Sequence, residues 1–203
     1  VTVTQPIHAS VDVRNIIVEW AKWGVANRAK FTYTEGAQRM ADIGHANVLP
    51  ITADCSAFVT LCYNFAGAPD PNGRHYDHEG YTGTLLSTGK HIQAKDVIPG
   101  DVVVYGPGTG WHTALVVEVD GADILTISHG QQGDPSYVWV NAPKAPARGF
   151  GHDGREPQTF LRFPTMSVLP VHVPTFTTEA PKAPITAPAA VSGTKTPKTP
   201  KKA

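Results

Sequence analysis

The chain has 203 residues, and its 17 basic and 17 acidic residues cancel. That length holds one domain with a sizeable core plus accessory segments. The charge is uneven: Val1 to Phe163 carries 12 basic and 16 acidic residues, whereas Pro164 onward carries five Lys and one Glu, so the body is mildly acidic and does not point to nucleic-acid binding.

Two cysteines are too few for a disulfide framework. If Cys55 and Cys62 share a helix, about 10 Å of rise separates them, too far for a bridge. Both are expected to be free thiols, which leaves one available for chemistry. No stretch is long and apolar enough to span a membrane. Val1 to Ser10 shows no basic-then-apolar secretory pattern. The chain does not begin with Met, so a signal already removed is compatible with it.

In chain order, Val13, Ile16, Ile17, Trp20 and Trp23 recur at helical spacing, with Ser10 as an N-cap. Phe31 to Gly36 reads as a short turn or strand, and 41–50 as a loop. A second helix starts at Asp54, whose carboxylate suits an N-cap. Phe58, Leu61, Cys62 and Phe65 follow on one stripe, and Gly67 ends the run. Cys55 sits at that helix mouth, where the partial positive charge favours thiolate over thiol. Asp70-Pro71-Asn72-Gly73 is a turn. His75 to His78 forms a polar loop, read as solvated surface, and a short helix is expected from Thr82 to Leu86.

Pro99-Gly100-Asp101 launches the β-branched run Val102 to Tyr105. A Gly-rich turn leads to Trp111-His112 and a strand through Val119. Asp120-Gly121 is a hairpin signal, followed by a strand from Asp123 to His129. Tyr137 to Val140 and Phe160 to Phe163 are expected as further strands. With Asp120-Gly121 as a two-residue turn, Val119 pairs with Ala122. His112 then lies directly across from His129, with Cβ atoms about 5 Å apart. From Pro164 the composition shifts to Pro, Thr, Ala and Lys, with eight of the 18 prolines. This predicts a domain over 1–163 and a disordered or extended tail or linker over 164–203.

A cysteine, a histidine and a polar orienter form the layout for nucleophilic acyl transfer. Cys55 is assigned as nucleophile, His112 as base and His129 as orienter. The blocks Asp54-Cys55-Ser56-Ala57-Phe58-Val59, Pro99-Gly100-Asp101-Val102-Val103 and Trp111-His112-Thr113-Ala114-Leu115-Val116-Val117 resemble the NlpC family of cell-wall cysteine peptidases. The resemblance implies an α+β, papain-like NlpC fold, with N-terminal helices packed on a central antiparallel sheet. It implies cleavage of amide bonds in peptidoglycan stem peptides. By the same resemblance, Tyr33 with Gly36 supplies a hydroxyl that joins the Cys55 amide in steadying the oxyanion. Asp54, Ser56 and Trp111 are the further supporting positions; Trp111 reads equally as a groove wall or a strand residue. Two departures stand out. Ala57 replaces the usual Gly, and Thr34-Glu35-Gly36 replaces an aromatic-Gly-Gly.

No cofactor or metal is expected. A zinc hydrolase using His112 and His129 is the competing enzyme class, but neither a His-Glu-x-x-His nor a paired-cysteine signature occurs. A non-enzymatic phage structural or binding protein on the same fold is the other alternative. The expected partner is the peptidoglycan stem peptide, at the cell wall of a target bacterium. A phage or virion-associated lysin fits, as does a bacterial wall-remodelling enzyme. The tail would reach a virion or wall-binding partner.

Overall fold

The computed structural model describes residues 11–130, 133–140 and 157–176. Helix α1 spans Arg14–Ala26 and buries Ile17, Trp20, Ala21 and Gly24 on one stripe. The Ser10 cap expected from sequence lies outside the described residues. Within them, Val13 occupies the cap position without a side-chain cap, and the Asp12 carboxylate before it accepts from the Arg14 amide at 3.0 Å. Two short strands, β1 (Phe31–Tyr33) and β2 (Ile51–Ala53), pair in parallel. β2 feeds directly into helix α2, Cys55–Phe65. A short helix α3 follows at Thr82–Thr88.

The remaining strands form one six-stranded sheet in the order β3-β8-β4-β5-β6-β7. They are β3 (Lys90–Ile92), β4 (Val102–Tyr105), β5 (His112–Asp120), β6 (Asp123–Gly130), β7 (Gly133–Val140) and β8 (Gln158–Arg162). Every neighbouring pair is antiparallel. The architecture is the expected α+β arrangement of helices on an antiparallel sheet. β3 was not visible in the sequence. Only three residues long and exposed or half-buried, it lacks the alternation that marks a strand.

Side-chain alternation sorts the sheet into two faces. Val102, Val104, Leu115, Ile127 and Leu161 pack with α1 and α2 in the main core. Val103, Tyr105, Ala114, Val116, Ile124 and Phe160 form a second cluster on the opposite face. In the main core, Trp20 meets Trp23 and Phe65 edge-on, at centroid distances of 5.3 and 5.0 Å. Such contacts add modestly to the burial of large rings.

The segment after β8 is extended and docked. Thr165 accepts from the Val13 amide at 2.8 Å, and the Gly67 carbonyl accepts from the amides of Val168 and Leu169. The two indoles of α1 also hold it: Trp20 Nε1 donates to the His172 carbonyl at 2.9 Å and Trp23 Nε1 to that of Thr175 at 3.2 Å. The Pro-rich tail expected from position 164 thus begins, as far as Phe176, as a strap along α1 and the end of α2.

The Asp101 of the Pro-Gly-Asp motif is fully buried. It accepts from Arg14 at 3.0 Å and from the Nε and guanidinium nitrogen of Arg162 at 2.9 and 2.7 Å. This ties α1 and β8 to the start of β4. Removing one partner from a buried charge cluster is costly because the others lose their compensation. Asp101→Asn is expected to cost roughly 3 kcal/mol, read as a lower denaturant midpoint. An unchanged midpoint would show that the cluster contributes nothing net.

Candidate active site

The site grows from the start of α2. Asp54 adopts an extended backbone and accepts from the Ala57 amide at 2.6 Å, as the sequence predicts for an N-cap. The same carboxylate oxygen accepts from the Ser56 hydroxyl at 2.8 Å. Its other oxygen pairs with Arg39 at 3.3 Å. Arg39 also reaches Ser56 Oγ at 3.3 Å and donates to the Gly80 carbonyl. Sequence reasoning missed Arg39. It lies in a short 3₁₀ turn, Ala37–Met40, with no motif around it. Only the folded chain brings it to Asp54.

Cys55 follows the cap and is 7% exposed. The helix mouth does not make its thiol acidic. Burial, and then the Asp54 carboxylate, push it up to about 12, while the amides of Thr113, Ser56 and Cys55 pull the other way. Desolvation of the thiolate outweighs the partial charge of one helix end. Cys62, further along the same helix, is pushed up by burial, with its own amide pulling the other way. Both thiols are free.

The hairpin register differs from the expected one. Asp120 pairs with Asp123, and a β-bulge between Val116 and Glu118 shifts the ladder so that Val116 faces Thr126 and Leu115 faces Ile127. The ladder ends at that pair, so His112 and His129 do not form a paired position of it. Their ring contacts put the two imidazoles on opposite faces. The His112 ring stacks on Tyr105 at 5.9 Å and 22°, beside the second cluster. The His129 ring lies on the helix side, against Tyr33 at 5.3 Å, Phe31 at 5.9 Å and Phe58 at 6.2 Å. Both are buried.

Tyr33, Cys55 and His129 thus gather at one corner. The Tyr33 hydroxyl donates to Glu35 at 3.1 Å. It is held neutral by burial and then by the nearby Cys55. His112 enters through its chain neighbour, because the Thr113 amide is one of the donors aimed at the Cys55 sulfur. Trp111, just before His112, is 60% exposed. Among the described residues, no group of three or more His, Cys, Asp and Glu is arranged to hold a metal ion. No helix among them is long and apolar enough to cross a membrane.

No protein-family profile matches the chain, and no curated protein matches it. Solved structures do. The fold is similar to NlpC/P60 domains. The peptidoglycan hydrolase RipB of Mycobacterium tuberculosis shares 18% identity over 80% of this chain and 73% of its own, with a TM-score of 0.44. The P60 domain of a Mycobacterium avium subspecies paratuberculosis antigen shares 20% over 75% and 97%, with a TM-score of 0.43. RipD of M. tuberculosis, described as a non-catalytic NlpC/p60 domain protein adapted to peptidoglycan binding, shares 15% over 72% and 96%, with a TM-score of 0.39.

The raised Cys55 thiol yields two expectations. Iodoacetamide at pH 7 should label Cys55 slowly, with the rate climbing as pH rises toward 12; fast labelling at neutral pH would contradict a protonated resting thiol. The folded state also holds this proton more tightly than the unfolded chain, whose thiol sits near 9. The resulting stability is complete below pH 9 and is lost as pH climbs from 9 toward 12. Denaturant midpoints measured across that range should fall, and a rise would reverse the assignment.

Proposed function

We propose that this chain is a cysteine peptidase that cleaves amide bonds in the stem peptides of peptidoglycan. The observation that carries the reading is Cys55 at the capped start of α2, with Tyr33 and His129 beside it and the first residues of β5 against its sulfur. The sequence blocks around Cys55, Asp101 and His112 add the resemblance to the NlpC family.

In this reading His112 takes the thiol proton as the sulfur attacks the carbonyl carbon of the scissile amide. A proton-relayed attack suits a thiol that rests protonated. The Cys55 amide and the Tyr33 hydroxyl, a neutral donor, face the developing oxyanion. The imidazolium then protonates the leaving amine, and water hydrolyses the thioester. His129 orients the base and steadies its charge. Asp54, Ser56 and Arg39 fix the helix mouth. Because alternation places the His129 ring on the Cys55 side of the sheet, an exchange of roles between the two imidazoles is the specific variant to test.

The site of action is the wall of a target bacterium. We place the protein as a phage or virion-associated lysin, with a bacterial wall-remodelling peptidase as the near alternative. The tail reaches a wall or virion partner. A non-catalytic stem-peptide binder is the second reading, favoured by the buried, strongly protonated sulfur.

Purified peptidoglycan digested with wild type and with Cys55→Ala, fragments identified by mass, decides between the two. New amide-cleavage fragments are expected from wild type alone. Identical patterns from both would leave the binding reading. His112→Ala is expected to lower the rate at least a hundredfold, and His129→Ala less. The reverse order would exchange the roles of the two histidines.

A further inference from the structure

Two aromatic side chains stand out of the surface next to the candidate site, and each is seated on a glycine. Trp111 is 60% exposed and Tyr81 is 47% exposed. The Trp111 ring lies against the backbone of Gly106, where an added Cβ would come within 2.5 Å of the indole. Gly106 also has φ +97°, a conformation that favours glycine. The Tyr81 ring lies against Gly83, where an added Cβ would come within 2.5 Å of it. Both rings are thus held by close backbone approach and yet remain open to solvent.

The loops that carry them are joined. Thr82 Oγ1 donates to the Gly110 carbonyl at 3.3 Å, so the residues next to Tyr81 and Trp111 touch. The assembly continues into the site on both sides. Trp111 precedes His112, and the Gly80 carbonyl, just before Tyr81, accepts from the Arg39 that also contacts Asp54 and Ser56. Large exposed rings that are already fixed lose little freedom when they bind, so they suit recognition of a flat apolar face.

We propose that Tyr81 and Trp111 form a paired aromatic platform that grips a sugar ring of the glycan strand, so that the enzyme prefers stem peptides still attached to sugar. This rests on the peptidoglycan reading above. The argument is chemical. Stem peptides are short chains of mostly small, acidic or amine-bearing side chains and offer no flat apolar face. A pyranose ring presents a plane of C–H groups that stacks on an indole or a phenol. The platform's continuity with the Cys55 site sets this contact beside the peptide to be cut.

The test uses the full chain carrying Cys55→Ala, so that binding is read without turnover. The probes are a disaccharide-linked stem peptide and the same peptide without sugar, titrated by calorimetry. The sugar-linked probe is expected to bind about tenfold more tightly, a step of about 1.4 kcal/mol. Adding Trp111→Ala or Tyr81→Ala should bring the ratio of the two dissociation constants close to one. Trp111→Phe and Tyr81→Phe, which keep a ring, should retain most of the preference and control for misfolding. Equal affinity for the two probes, no binding of either, or an undiminished ratio in both alanine variants would overturn the platform. These results are independent of cleavage: a wild type that leaves peptidoglycan uncut defeats the peptidase reading, while the affinity ratio still decides the sugar contact.

Discussion

The Asp54 carboxylate does two opposing things at once. It accepts from the Ala57 amide and so starts the helix that presents Cys55. Its negative charge, beside a thiol already removed from water, also holds the proton on the sulfur. Arg39 and Ser56 secure the carboxylate. A thiol presented this way stands at the mouth of the helix but keeps its proton. The proposed mechanism needs a base that accepts this proton during the attack, which gives the position of the nearby imidazoles its weight.

That position is set by the sheet. The bulge between Val116 and Glu118 moves the β5–β6 ladder by one residue, and with a period of two this changes which face each side chain takes. His129 joins Phe31, Tyr33 and Phe58 on the helix side, while His112 stacks on Tyr105 at the strand's first position. A strand end is less constrained than its middle, since only one side of the ladder continues. The Thr113 amide at the sulfur keeps His112 within one residue of Cys55 all the same.

Much of this was legible in the chain because it is local. The Asp54 cap, the α2 stripe, the Val102 to Tyr105 strand and the presence of a hairpin near Asp120-Gly121, though not its register, each follow from residues a few positions apart. What escaped was either non-local or a balance of opposing effects. Nothing near Arg39 announces that it will meet Asp54, and nothing near Tyr81 announces that α3 will abut Gly110. The bulge escaped because Val116-Val117-Glu118 reads as unbroken strand. The thiol was misjudged for another reason: the helix mouth is visible in sequence, whereas the degree of burial that overrides it is a property of the packed whole.

The docked strap also couples the C-terminal side of the described chain to the helix of Cys55. By Thr175 the chain lies beside Asn47, whose side chain accepts from it, in the loop that precedes β2. β2 in turn runs straight into Asp54 and Cys55. A pull on the chain beyond Phe176 would be felt first at the two indoles of α1 and at that loop, not at the sheet. From Thr175, through Asn47 and β2, the strap thus has a short mechanical route to the helix that carries Cys55.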